Sequence, residues 1–365
     1  MRILSVVGAR PNFMKIAPLV RAFDEYNKKR DAQDRKNIEH CLVHTGQHYD
    51  YEMAHVFFEE LALPKPDYFL NAGSGTHAEQ TGKIMIEFEK VCFKTNPEIV
   101  VVVGDVNSTL ACSIVAKKLN IMVAHVEAGL RSGDMNMPEE INRMVTDSIS
   151  DFLFVSEKSG IENLKKEGKK DDQLFFVGNI MIDTLYEQLN KLNQEKKNEN
   201  GKYGVVTLHR PSNVDKKDTF QGIIEALTEI SKDLPIVFPA HPRTRKNLES
   251  FGLMELVNDS NIKLLLPQPY IEFLRLWKDA VVVFTDSGGI QEETTALGIP
   301  CFTIRENTER PITIEDGTNT LIGNKKENIL KSYSDFRNGN SKHGRIPELW
   351  DGQTAERIVR ILASV

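Results

Sequence analysis

Two acidic residues each stand directly behind an apolar run. Asp105 follows the valines of VVVVGDVNST, and Glu127 closes the run that leads into HVEAGLRS. If those runs pair as neighbouring strands, the two carboxylates share one crevice. Mutual repulsion and burial then push their pKa values apart, which is the material for a general acid and a general base. Asp105 could also do no more than cap its turn. PEEINR adds Glu139 and Glu140 behind Pro138, where a helix start favours negative charge, so one of the two is expected to be structural. His209 and Arg210 follow GVVTL, while His241, Arg243 and Arg245 follow IVFPA. Two such strand-end clusters would make a cationic wall.

A second group of residues suits phosphate. In TDSGGIQEETTALG, Ser287 reads as an N-cap, Gly288 and Gly289 permit close backbone approach, and a helix runs to Gly298. Free N–H groups at such a start bind anions, and a diphosphate fits. Of Glu292 and Glu293, one is read as complementing the helix dipole in the first turn, the other as accepting from two ribose hydroxyls. GARPNFMK sets Arg10 in a strand-to-helix turn, from which a guanidinium reaches phosphate, with Lys15 in the helix that follows. That turn does not read GxGxxG, and no acidic residue occupies the ribose position after the second strand, so a nicotinamide cofactor is unsupported. His125-x-Glu127 lacks HxxxH, CxxC or Asp-x-Asp partners, so no metal is expected either. The expectation is chemistry without a cofactor.

Elements must hold these groups in place. Short β-branched runs, each followed by a segment of helical period, recur along the whole chain, the pattern of parallel sheets covered by helices. Strands are expected at Arg2–Val7, His40–His44, Ile99–Val103, Met122–Val126 and Phe152–Val155, then at Leu174–Val177, Gly204–Leu208, Pro235–Pro239, Ile262–Leu266, Ala280–Thr285 and Cys301–Ile304. The fold class is therefore α/β, two doubly wound Rossmann-like domains. Their boundaries are set at 1–171 and 172–351, with NQEKKNENGK from Asn193 as exposed loop. Ligands of such sheets bind beyond the carboxyl ends of the strands, and those are the loops that carry the chemistry above.

A chain of 365 residues exceeds one ordinary core, which fits two domains. The net charge of -6 argues against a partner recognised through a phosphate backbone, so no nucleic acid is expected and any anion must be held by local Arg and Lys. Cys41, Cys92, Cys112 and Cys301 are widely spaced and form no CxxC, as in a reducing compartment. No apolar run has the length of a membrane span, and the run before Gly8 is too short for a signal peptide. No membrane partner and a cytoplasmic location are expected.

Taken together, GARPNFMKIAPL, GDVNSTLA, HVEAGLRS, PEEINR, LHRPSN, PQPYIEF and TDSGGIQEE with RENTERP resemble the non-hydrolysing UDP-N-acetylglucosamine 2-epimerases, in order and over nearly the whole chain. That resemblance implies a glycosyltransferase-B-like pair of domains with the active site in the interdomain cleft, a homodimer, and a C-terminal helix within 352–365 packing back on the first domain. It implies interconversion of UDP-N-acetylglucosamine and UDP-N-acetylmannosamine through expulsion of UDP to 2-acetamidoglucal and re-addition. Asp105, Glu127, Glu139 and His209 fall on the family's catalytic positions. Arg10, Lys15, Gln268, Phe273, Ser287, Gly288, Gly289, Glu293 and Arg310 fall on its nucleotide-sugar positions. Gln47, His48 and His241 fall near its allosteric site, although Tyr49 replaces an arginine there. TGQHYDYE also resembles the branch acting on UDP-2,3-diacetamido-2,3-dideoxyglucuronic acid, and Ile312 follows TERP where glutamate is common. The exact sugar and the regulation stay open. A glycosyltransferase of the same fold would need one base at most, and a nucleotide-sugar sensor would be expected to lose acid/base residues. The retained set disfavours both.

Overall fold

Apolar runs too continuous for a half-exposed strand fold here as strands covered on both faces. The computed structural model describes residues 1–29, 37–47, 58–192, 202–340 and 342–365. In one sheet lie β1 (Arg2–Val7), β2 (Glu39–His44), β3 (Tyr68–Phe69), β4 (Ile99–Val103), β5 (Met122–Ala128), β6 (Phe152–Val155) and β7 (Leu174–Phe176). A second sheet holds β8 (Gly204–Thr207), β9 (Ile236–Pro239), β10 (Ile262–Leu265), β11 (Val282–Thr285), β12 (Cys301–Thr303) and β13 (Asn319–Leu321). The orders are β3-β2-β1-β4-β5-β6-β7 and β10-β9-β8-β11-β12-β13. Every pairing is parallel. Chain order therefore reverses between β1 and β4 in one sheet and between β8 and β11 in the other, the positions where doubly wound sheets open a ligand crevice.

The helices obey local rules. Thr76 starts the helix His77–Thr95 with a reciprocal cap: its Oγ1 accepts from Glu79 N at 3.3 Å while Glu79 Oε2 accepts from Thr76 N at 3.0 Å. Asn96, at a left-handed φ of 45°, ends it. Ile84 and Phe88 on that helix are fully buried with Val100 and Val102 of β4. Burial of one such side chain contributes about 1.5–3 kcal/mol.

One expectation is corrected. The strand near Leu174, assigned to a second domain beginning at residue 172, is the last strand of the first sheet, pairing Leu153 with Leu174 and Val155 with Phe176. Phe175 stacks among Phe152 and Phe154, with ring centroids 6.0 and 5.6 Å away. By contacts the chain divides into Met1–Glu187 with Glu348–Val365, and Gln188–Pro347. The helix Thr354–Ala363 packs on the helix Arg10–Lys28 of the first unit, and Asp183 caps it by accepting from Thr354 N and Ala355 N at 3.1 and 2.7 Å. Burial lifts the Asp183 carboxyl to about 6 despite those two donors. Among the described residues no helix is long and apolar enough to cross a membrane.

Candidate functional site

At the first switch point, β1 runs into Gly8. A Cβ there would lie 2.1 Å from Ser108 Oγ and 2.7 Å from Thr45 Oγ1, so only glycine lets the backbone pass. Arg10 then opens a helix, its side chain lying outside the described part. Asn12 ties this turn to β4, accepting from Ala9 N at 3.1 Å and donating to Val103 O at 2.7 Å. One turn on, buried Lys15 forms an ion pair with Glu127 Oε2. A residue expected on the nucleotide thus meets one expected in the acid/base set.

Glu127 is held unusually. It lies at φ 71°, and the β5–β6 register slips across it, with Val126 opposite Phe154 and Ala128 opposite Val155. It is the extra residue of a bulge, a device that re-aims a side chain. Strained backbone of this kind costs about 1–3 kcal/mol and clusters at functional sites.

Asp105 follows β4, and β4 pairs with β5 from Ile99↔Met122 to Val103↔Val126, as the two-carboxylate expectation requires. Its carboxylate, about one-third exposed, meets buried Arg143, which also donates to Glu140 Oε2 at 2.7 Å. Glu140 accepts in turn from Ser132 N at 3.0 Å and Gly133 N at 2.9 Å. Burial would raise its carboxyl, but these donors and Arg143 hold it below the usual range. Of the PEE pair, Glu140 is therefore the structural residue and Glu139 is exposed at the helix start. Sequence reasoning did not single out Arg143; its i,i+3 spacing from Glu140 was the available signal. Gln47 accepts from Ser108 N and Oγ at 3.1 and 2.7 Å, closing the first turn of the helix Asn107–Lys118, and His48 lies outside the described residues.

At the second switch point the organising group is Asp286, which sequence reasoning also passed over. Fully buried at the end of β11, it accepts from His209 N, Arg210 N and Asn213 Nδ2 at 3.0, 2.9 and 3.2 Å. His209 Nδ1 lies 3.0 Å from its Oδ1, and the histidine is about half exposed. Burial opposes ionisation of Asp286, yet His209 and the backbone donors keep its carboxyl below the ordinary range. With one ring nitrogen held at the aspartate, the other is directed away from it.

Ser287 occupies the N-cap position of the helix Gly288–Leu297 but its side chain makes no cap hydrogen bond, contrary to the capping expectation. A Cβ on Gly289 would meet nothing within 4 Å, while one on Gly288 would lie 2.9 Å from Glu309 Oε1. Space in front of a bare helix start suits an anion. Neither Glu292 nor Glu293 lies in the first turn, so the dipole explanation is corrected for both. Glu292 pairs with Arg310 at 2.8 Å, and Glu293 accepts from Tyr270 Oη at 2.6 Å. Burial lifts the Glu293 carboxyl to about 8, with Tyr270 opposing and Glu292 adding to the rise. Glu309, by contrast, sits at about 2, because Arg310 and Arg305 outweigh its burial.

The remaining expected residues are spread more widely within this unit. Gln268 donates to Leu266 O at 2.8 Å, and Phe273 is half-buried in the helix Tyr270–Trp277. His241 is exposed and accepts from Arg243 N at 3.3 Å. Arg243 itself holds Asp215 with both arms, and Arg245 lies 3.7 Å from Glu249, so these two arginines are matched by local carboxylates rather than forming a bare cationic wall. Among the described residues no cluster of His, Cys, Asp and Glu has the make-up of a metal centre.

Known proteins resemble the chain closely. A family model described as UDP-N-acetylglucosamine 2-epimerase matches residues 30–363. The UDP-N-acetylglucosamine 2-epimerase of Methanocaldococcus jannaschii is 45% identical, with 99% of each chain covered. The UDP-2,3-diacetamido-2,3-dideoxy-D-glucuronate 2-epimerase of Pseudomonas aeruginosa is 40% identical, with 91% of each chain covered. A crystal structure of the Methanocaldococcus jannaschii UDP-GlcNAc 2-epimerase in complex with UDP-GlcNAc and UDP superposes with a TM-score of 0.87 at 44% identity, over 100% of both chains. With two parallel sheets of matching architecture and a family match over most of its length, this chain belongs to the UDP-N-acetylglucosamine 2-epimerase family of enzymes.

Proposed function

We propose that the protein interconverts UDP-N-acetylglucosamine and UDP-N-acetylmannosamine without a cofactor, by elimination and re-addition of UDP. The observation that carries this reading is the placement of Asp105 and Glu127 behind adjacent, paired strands at the first switch point, each met by a buried cation. The C2 hydrogen is not next to a carbonyl, so it cannot leave by enolisation. Instead a base takes the C2 proton while the C1–oxygen bond to UDP breaks, which leaves a C1=C2 double bond in 2-acetamidoglucal. UDP then re-adds at C1 as an acid returns a proton to the other face of C2. Asp105, Glu127 and Glu139 are the proposed acid/base groups. His209, oriented by Asp286, and Arg310 would face the departing diphosphate, where preorganised charge acts most strongly. Arg10, Lys15, Gln268, Phe273, Ser287, Gly288, Gly289 and Glu293 complete the proposed nucleotide-sugar set. Lys15 would balance the charge of Glu127 as well.

A second substrate has specific support. The TGQHYDYE sequence and the 40% identity to the Pseudomonas aeruginosa enzyme favour a UDP-2,3-diacetamido-glucuronic acid as the alternative sugar. A homodimer in the cytoplasm belongs to the same reading, supported by the resemblance in sequence, and light scattering checks the dimer. Proton NMR of the purified protein with each UDP-sugar, in chelator and without NAD, tests the function. The manno epimer of UDP-N-acetylglucosamine should appear. A need for NAD, loss of activity in EDTA, or turnover of the diacetamido sugar alone would refute the primary reading.

A further inference from the structure

His125 and Asp147 are both fully buried, and the reaction as read above uses neither. His125 Nδ1 lies 2.6 Å from Asp147 Oδ1, and His125 Nε2 lies 2.8 Å from the carbonyl oxygen of Gly104. A carbonyl oxygen can only accept, so Nε2 carries a hydrogen. Asp147 also takes Gly129 N at 3.0 Å and Arg131 at 2.7 Å on its other oxygen, and these donors are met by an ionised carboxylate. Nδ1 therefore donates too. A histidine that donates from both nitrogens is an imidazolium.

The position of this pair gives it meaning. His125 stands two residues before Glu127 on β5 and Gly129 two residues after, and both are tied to the one Asp147 carboxylate. Between them lies the bulge at φ 71°. The other imidazole nitrogen fixes Gly104, the residue directly before Asp105. We propose that the His125–Asp147 imidazolium–carboxylate pair is the positioning device of the acid/base site, clamping the strained Glu127 from both sides and anchoring the loop of Asp105. The inference rests on the function proposed above. Its consequence is an aim for Glu127 that survives only while these hydrogen bonds are kept. Arg131, itself bound to Glu167, faces Asp147 and, with His125, holds its carboxyl below the usual range against the burial that would raise it.

Two measurements test it. Nitrogen-15 NMR of the histidine-labelled full chain should show a hydrogen on both ring nitrogens of His125, Nδ1 donating to Asp147 and Nε2 to the Gly104 carbonyl. Asp147→Asn should lower kcat on the turned-over UDP-sugar by roughly 10²-fold with KM little changed, since small misplacements of a reacting group have that effect. In a Glu127→Gln background the same change should cost clearly less than in the unaltered enzyme, the remainder being the part carried through the Asp105 loop. Asp151→Asn is the control. Asp151 accepts from Val123 N at 2.8 Å at the other end of β5, away from the bulge, so it should lower stability and leave kcat unchanged. A neutral His125, a normal kcat in Asp147→Asn, or an equal kcat loss in Asp151→Asn overturns the proposal. If Asp147→Asn does not fold, the NMR of the unaltered chain decides. A protein that turns over neither UDP-sugar refutes the function and the positioning role together, whereas a neutral His125 in an active enzyme refutes this inference alone.

Discussion

The two units wind their sheets in the same strand order around a central reversal, and they fill that reversal with different chemistry. In the first, carboxylates stand at the strand ends and each has a buried cation beside it: Lys15 with Glu127, Arg143 with Asp105. In the second, a helix begins with bare glycine backbone, and its carboxyls are driven apart, Glu293 up to about 8 and Glu309 down to about 2. Topology decides where a ligand can be met. On the proposed reading the pairing of charges decides what is done there: proton transfer in the first unit, anion and nucleotide binding in the second.

That division can be broken by mutation, and the largest effects belong to the first unit. Asp105→Asn, Glu127→Gln and Glu139→Gln keep shape but remove a proton site, so each should lower kcat by roughly 10²–10⁴-fold with modest change in KM, read by steady-state kinetics. Normal kcat in all three would refute the acid/base assignment. Next comes His209→Asn, expected to lower kcat by about 10–100-fold, because in the proposed elimination charge on departing UDP grows in the transition state. Asp286→Asn should follow it, since it removes the charge facing the ring and turns one of the two accepting oxygens into a donor. Arg310→Lys keeps a cation against Glu292 but loses the fork, so KM should rise about tenfold with kcat nearly intact. A pure kcat effect there would erase the contrast between the units.

The smallest effect is on stability. The Glu293 carboxyl is raised from 4.5 to about 8, so the folded protein holds a proton that the unfolded chain has lost. The resulting stability is full below pH 4.5, falls as pH rises toward 8, and is constant above. Glu293→Gln should flatten this slope in thermal unfolding between those limits, by an amount on the order of a few kcal/mol at most. An unchanged slope would show that Glu293 is ionised throughout.

Buried parallel strands were the most legible part of the sequence. Arg2–Val7, Ile99–Val103 and Phe152–Val155 have the expected bounds because a strand covered on both faces reads as an unbroken apolar run. Tyr68–Phe69 and Asn319–Leu321 were not legible, since edge strands of two or three residues leave no periodic signal. The sheet that Leu174–Phe176 joins is decided by its partner Phe154, not by its own residues. The site shows the same limit. Asp105, Glu127 and His209 stood out because each closes a strand. The roles of Arg143 and Asp286 were not legible, although Asp286 also follows a strand, because they lie in contacts with Asp105 and His209, 38 and 77 residues away in the chain. The bulge at Glu127 is likewise a product of pairing with β6.

In the proposed reaction the first unit's carboxylates move a proton at C2 of a UDP-sugar. Asp and Glu exchange their protons with water, so turnover of UDP-N-acetylglucosamine in deuterium oxide, followed by proton NMR, should place deuterium at C2 of the manno product, with traces of UDP and 2-acetamidoglucal on long incubation. Product that retains the substrate hydrogen at C2 throughout turnover would rule out proton transfer by these carboxylates.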